Sequence, residues 1–387
     1  MITVLFTDRH LNVVGDPVTC WTTVNCTARF NEVGSGQITV PAYPWIREQI
    51  DHGRRAVVVR DGDVFLAGPV ESYLVEQSDD GENSGVGKLT VDFADDLSNC
   101  ANRITFPNPA QTPEGQTVDQ WTFAGNGEQA LRQLVTLNAG PDARAERQVP
   151  QLVLGSTAGV GGTVSVSTRL EPLTDVLRRV ALDAGGLGFR TRQDGTQILF
   201  EVFQPRDLTG SVRFGFGLGN LRYLGYSRAA PTATTAVVGG QGEGSDRYLI
   251  ARSNTSAESA WGRVETHVAR PGSDPVADLQ AEGDRELAEK GETARLQTSA
   301  WDTPDQRFGE HYRLGDRVSV QVGPGEQVSD LVRLVSLQAW DTAGELVSAM
   351  VGTQEASSDP AWVRQMRGID RRVGYLERRA LPSTSGM

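Results

Sequence analysis

The chain has 387 residues, of which 38% are apolar and 22% charged. That is more than one hydrophobic core organises and too apolar for disorder, so roughly two to four domains are expected. No run approaches the ~20 consecutive apolar residues of a membrane helix, and Met1 to Asp8 reads as a β-strand, with no basic region ahead of an apolar stretch. The formal charge of −12, with Lys88 and Lys290 the only lysines, disfavours a surface that grips nucleic acid. It suits a channel through which DNA slides without sticking, and equally ordinary solubility.

The elements expected along the chain are mostly strands. Residues 56–60 run through Asp61-Gly62 into 64–67, a hairpin whose turn dipeptide supplies positive φ angles. Residues 77–87 read as an exposed polar loop, and further breaks fall at 107–115 and 231–244. A helix is predicted over 127–138 from the spacing of Ala130, Leu131, Leu134, Val135 and Leu137. A second is predicted over 171–184, with Leu173, Val176, Leu177, Val180 and Ala181 on one face and Gly185-Gly186 ending it. A second Asp-Gly hairpin joins 188–192 to 197–203. A third helix is expected over 275–290 with Val276, Leu279, Gly283 and Leu287 inward, and a third hairpin joins 332–339 to 346–351. Near the end, Trp362, Met366, Ile369, Val373 and Leu376 fall on a 4-3-4-3 spacing within an arginine-rich stretch. That spacing predicts a short amphipathic helix with a coiled-coil-like seam, a candidate assembly segment. The fold class is therefore mainly β with a few short helices, a β-rich α+β chain.

Chemistry is sparse. Cys20, Cys26 and Cys100 read as buried or half-buried thiols. His10, His52, His267 and His311 show no ligand spacing, so no metal and no cofactor is expected. Gly239, Gly240, Gly242 and Gly244 follow an apolar run, yet their spacing is wrong for a dinucleotide loop and the next element reads as a strand. Without a helix N-terminus there is nothing to hold a pyrophosphate, so a glycine-permitted loop or bulge is expected. Asp79, Asp80 and Glu82 read as solvated loop residues, and Asp95 and Asp96 as turn or cap residues. A glycosidase would need two carboxylates held at fixed separation in a cleft. No nucleophile elbow, metalloprotease or P-loop motif is present, and no catalytic residue is assigned.

Several segments together resemble one family. They are Asn31 to Pro41, Phe65 to Glu71, Leu134 to Asn138 with Arg147 to Pro150, Asn220-Leu221 with Ala236 to Gly244 and Arg247, Gly262 to Glu265, and Tyr312 to Val320. This ordered set resembles the baseplate hub or tail-associated proteins of siphophages that infect actinobacteria. Tyr312-Arg-Leu314-Gly315-Asp316-Arg-Val resembles the "Y-x-L-G-D-x-V" start of a strand in tail hubs, where Leu314 would anchor in the core, Gly315 permit a turn and Asp316 bond nearby amides.

The resemblance implies a multi-domain tail-hub fold with two tube-like β-domains. The expected division is 1–105 for the first, 106–210 for an intermediate α+β domain, 211–355 for the second, and 356–387 for the amphipathic helix and a flexible tail. It implies a homotrimer in the virion's tail tip, joined to a distal tail ring protein, the tape-measure protein and tip or fibre proteins. DNA would pass without specific binding, and the chain would insert in no membrane. A receptor- or carbohydrate-binding tip module is the alternative, with the seven tryptophans as a possible sugar platform. A cell-wall-degrading tip enzyme is the third reading.

Overall fold

A computed structural model describes residues 1–50, 53–77, 86–270 and 276–352. The candidate assembly residues Trp362, Met366, Ile369, Val373 and Leu376, and the acidic cluster Asp79, Asp80 and Glu82, lie outside the described residues. The chain is mainly β with a few short helices. It divides into two compact units, residues 1–224 with 298–352, and residues 225–297.

In the first unit, strand Ile2–Thr7 pairs antiparallel with Arg55–Arg60, which turns at Asp61-Gly62 into Asp63–Glu76. Both turn residues adopt positive φ (53° and 95°), as the dipeptide predicts. Strand Asp63–Glu76 changes partner midway, pairing from residue 70 onward with Lys88–Ala94. Lys88–Ala94 pairs with Glu32–Pro41, and that strand with Thr23–Arg29.

Thr23–Arg29 then pairs with the second half of Glu326–Trp340, three hundred residues away in sequence. Glu326–Trp340 likewise switches, its first half on Arg317–Gly323 and its second on Gly344–Val351. Alternation sets the register: Val24, Cys26, Ile38, Val40, Val91, Phe93, Val335 and Leu337 are all buried, so a one-residue slip would turn this face outward. Gly36 is required by close approach, since a Cβ there would lie 2.1 Å from the Phe93 ring.

A helical layer completes this unit. Helix Gly127–Asn138 is capped by the Asn126 side chain, which accepts from the Gln129 N–H at 3.2 Å. Helix Leu173–Asp183 ends where Gly185 and Gly186 take positive φ. Their apolar stripes (Leu131, Leu134, Val135; Leu173, Val176, Leu177, Val180) form one core with Phe189 and Phe200 of the hairpin Gly188–Asp194 and Gln197–Phe203. Each such side chain contributes about 1.5–3 kcal/mol on burial. Arg147 lies over the Phe106 ring at 3.9 Å and donates to Asn138 at 3.3 Å, tying the loop after the first helix to its end.

The second unit is a three-stranded sheet with Thr235–Gly239 central, antiparallel to Leu249–Ser253 and parallel to Glu265–Ala269. Helix Val276–Glu289 covers one face through Leu279, Gly283 and Leu287. Val276 was expected inward but is 43% exposed, because it opens the helix before its first full turn on the sheet. The bidentate pair Arg252–Asp284, at 2.8 and 2.9 Å, fixes that helix to the edge strand.

Candidate functional site

The residues singled out from the sequence fall in separate places. The turn before strand Arg317–Gly323 is built by Tyr312, Gly315 and Asp316. Tyr312 is fully buried, its ring edge against Phe214 and Phe308, and its hydroxyl donates to Asp302 Oδ1 at 2.8 Å. Burial beside that carboxylate pushes the phenol well above its ordinary range. Asp316 is 3% exposed; it accepts from the Arg313 N–H at 2.7 Å and from Arg206 Nε at 3.0 Å. The core anchor of this motif is Tyr312. Leu314, expected in that role, is only half-buried on a cleft wall, so the packing around Phe214 and Phe308 falls to Tyr312 instead.

Gly239 closes strand Thr235–Gly239, and Gly240, Gly242 and Gly244 fall in the loop and turn that follow it in the second unit. Gly242 and Gly244 have positive φ (97° and 60°), and the Gly240 N–H donates to the Tyr248 carbonyl at 2.8 Å. Arg247 Nε donates to the Gly240 carbonyl at 3.2 Å. A 3-10 turn at Gly244–Asp246 leads to strand Leu249–Ser253, so no long helix begins there to hold a phosphate.

Asp95 and Asp96 are turn residues with a further part to play. Asp95 accepts from the Gly34 N–H at 2.7 Å and the Leu97 N–H at 3.0 Å. Asp96 is buried and pairs in bidentate fashion with buried Arg55, through Nε at 3.1 Å and Nη2 at 2.5 Å. Arg55 also donates to Thr7 at 3.1 Å and to Gln193 at 3.2 Å. Sequence reading missed this network. The signal present was a charged residue opening the apolar run 55–59, a position that strand burial rarely leaves to an unpaired arginine. Cys26 and Cys100 are buried, whereas Cys20 is exposed, outside the expected range, because it sits on a loop before Thr23–Arg29.

These carboxylates lie at the floor of a cleft of about 820 Å³ in the first unit, walled by Phe30, Phe65, Phe203 and Phe308. No serine, cysteine or histidine lines it among the described residues. Glu201 on its wall is held by Arg190 and Arg192 at 2.8 and 3.0 Å. Burial, with Asp96 beside it, pushes the Asp95 carboxyl up to about 7 in spite of its amide bonds. A raised carboxyl in a cleft is one mark of a general acid. Here, however, Oδ1 and Oδ2 are both engaged by main-chain amides and Asp96 is held by Arg55, so the pair serves the turn.

The pH consequence can be measured. Unfolded, Asp95 releases its proton near 3.8; folded, it keeps it to about 7. The native state is therefore favoured below pH 4, and that advantage is lost as pH rises to 7. Relative to Asp95→Asn, the wild type should lose up to about 4 kcal/mol across that window and then level off. Parallel melting curves for the two proteins from pH 4 to 8 would remove Asp95 as the source.

Among the described residues no helix is long and apolar enough to cross a membrane, and no group of His, Cys, Asp and Glu is arranged to hold a metal. A search of curated proteins returned no match. Among solved structures, the chain is similar to a tail protein from Neisseria meningitidis MC58, with a TM-score of 0.55 at 14% identity over 91% of this chain and 97% of that one. It is also similar to the 43 kDa tail protein of prophage MuSo2 from Shewanella oneidensis, with a TM-score of 0.55 at 13% identity over 90% and 98%. At such identities the likeness is one of fold. The model of the Siphovirus ReqiPepy6 Gp37-like protein family matches residues 2–353. With nearly the whole described chain inside that match, this protein belongs to the siphovirus ReqiPepy6 Gp37-like family and has the fold of phage tail proteins.

Proposed function

We propose that this chain is a structural, non-enzymatic component of the phage tail tip: a ring-forming baseplate hub. It joins the tail tube to tip or fibre proteins and forms the channel end for the tape-measure protein and DNA. The observation that carries this reading is the extent of the likeness: the fold follows phage tail proteins over nine-tenths of this chain and nearly all of theirs. In the same proposal residues 1–105 and 211–355 are the two tube-like domains, 106–210 the intermediate domain and 356–387 the amphipathic helix and flexible tail, with Trp362, Met366, Ile369, Val373 and Leu376 as the assembly segment. Three copies would present six similar faces to a hexameric tail ring.

Light scattering on the purified protein tests the ring. A mass near three times 41.8 kDa is expected, and a monomer at every concentration would shift the reading to a peripheral tip module. Of the described tryptophans, Trp45, Trp261 and Trp340 are exposed, each on a different element. Removing residues 360–387 is expected to leave the melting of the rest within about 0.5 kcal/mol of wild type while weakening association with a neighbour. Insoluble truncated protein would instead place that segment in a core.

A further inference from the structure

Among the described residues, the sheet of the second unit is covered by a helix on one face only. Helix Val276–Glu289 lies on the side of Ala236 and Val238, where Leu287 and Gly283 meet them. Alternation puts Val237 and Gly239 on the other side. Their register partners share that face: Leu249 and Ala251 from one neighbouring strand, His267 and Ala269 from the other. Leu249 is 56% exposed, and Ala251, His267 and Ala269 are exposed as well. Apolar side chains gathered on one open face mark a surface that meets another molecule.

Two nitrogen donors converge on this floor. A Cβ added to Gly239 would lie 3.1 Å from Arg247 Nε and 3.3 Å from His267 Nε2, so both side chains lean over the same bare glycine. Arg247 is held there by its Nε bond to the Gly240 carbonyl. The loop beneath is fixed in turn, the Gly240 N–H donating to Tyr248 at 2.8 Å and the Tyr248 N–H to Gln241 at 3.0 Å. The terminal nitrogens of Arg247 have no partner among the described residues, and neither has the His267 ring. That sets Arg247 apart. Arg228, Arg252, Arg263, Arg270, Arg285 and Lys290 of this unit each hold a carboxylate.

A guanidinium fork and an imidazole above an apolar floor fit a carboxylate set among apolar side chains. A phosphate polymer fits less well. It needs cations along its whole track, and the six named above are already neutralised. We propose that this face docks an extended segment of a partner protein. A Glu or Asp side chain of that segment lies between Arg247 and His267, and its apolar neighbours cover Val237, Leu249 and Ala251. Gly239 leaves the space the two donors use, which a side chain there would crowd. This surface serves a different kind of protein from the contacts between copies of the chain, and it stands whether or not the chain forms a ring.

The probe is the peptide acetyl-Leu-Thr-Glu-Thr-Leu-amide, whose alternation points Leu, Glu and Leu to one side. The full chain has four histidines, few enough to follow individually by NMR with isotope-labelled histidine, and His267→Gln identifies the signal of interest. Millimolar peptide is expected to move the His267 signal and leave the others in place. Arg247→Gln, or Gln in place of Glu in the peptide, is expected to weaken binding about fivefold. Ala269→Glu sets a carboxylate opposite Gly239 within the chain itself and should compete for Arg247, weakening the peptide about as much. Neither substituted position is buried, and melting curves establish that each variant is folded. Equal binding of the Glu and Gln peptides, or binding indifferent to both substitutions, overturns the carboxylate site. So does a His267 signal unmoved by millimolar peptide. Inorganic phosphate that shifts His267 at lower concentration than the peptide overturns the protein partner and makes phosphate the ligand.

Discussion

Replacing Arg55 with alanine is expected to lower the unfolding free energy of the first unit by about 3–5 kcal/mol. The reason is the charge left behind. Arg55 and Asp96 have side chains only 5% and 3% exposed, so removing the guanidinium strands a buried carboxylate and frees the acceptors on Thr7 and Gln193. Burial already pushes the Asp96 carboxyl up against the pull of Arg55, and without that pull it takes up a proton at higher pH. The pair is a different matter from its halves. A double variant, Arg55→Met with Asp96→Leu, removes both charges together and is expected to recover most of the loss. Urea unfolding of the three proteins measures it. A single substitution costing less than about 1 kcal/mol would mean that water reaches this network and that the pair is in effect exposed.

Arg55 also marks where sequence reading stops. The helix predicted over 127–138 has those bounds in the structure, and the one predicted over 171–184 spans Leu173–Asp183. Both carry their information locally, in an apolar stripe with a cap or a glycine pair at its end. The Asp-Gly hairpins were legible for the same reason. Pairing between distant strands has no local mark: nothing in residues 23–29 announces residues 334–340. The two long strands hid more, because each changes its hydrogen-bonding partner midway, Asp63–Glu76 doing so at residue 70. Helix Thr255–Trp261 went unread although its signals are present. Asn254 caps it, accepting from the Ala257 N–H at 3.1 Å, and Gly262 ends it at φ 86°. It has no buried residue, and an apolar stripe is what the eye follows. The family-like motif at Tyr312 to Asp316 was legible as a turn before a strand. Which of its residues anchors the core was not, since that depends on Phe214 and Phe308 meeting Tyr312 in space.

Gly315 offers a way to separate two costs that usually arrive together. Its φ of 86° is left-handed, and a Cβ added there would lie 2.4 Å from Phe30 Cε2. Gly309, in the same loop region, has φ 90° with nothing within 4 Å of an added Cβ. Alanine at Gly309 therefore meets backbone strain alone, about 1–2 kcal/mol. Alanine at Gly315 meets that strain and must also displace the Phe30 ring, which lines the cleft wall and packs edge-on against Phe203 at 6.3 Å. Overpacking of this kind adds about 1–3 kcal/mol, so Gly315→Ala is expected to cost about 2–5 kcal/mol in all. The turn also holds two main-chain bonds, from the Gly315 N–H to the Val332 carbonyl at 2.8 Å and from the Val332 N–H to the Asp316 carbonyl at 2.9 Å. A strained Gly315 would loosen both, and with them the seam between Arg317–Gly323 and Glu326–Trp340. Urea unfolding of the two variants side by side gives the difference directly. Trimming the ring with Phe30→Leu should recover part of the Gly315→Ala loss and none of the Gly309→Ala loss. Equal costs at the two glycines would place the whole effect in the backbone and remove Phe30 from the account.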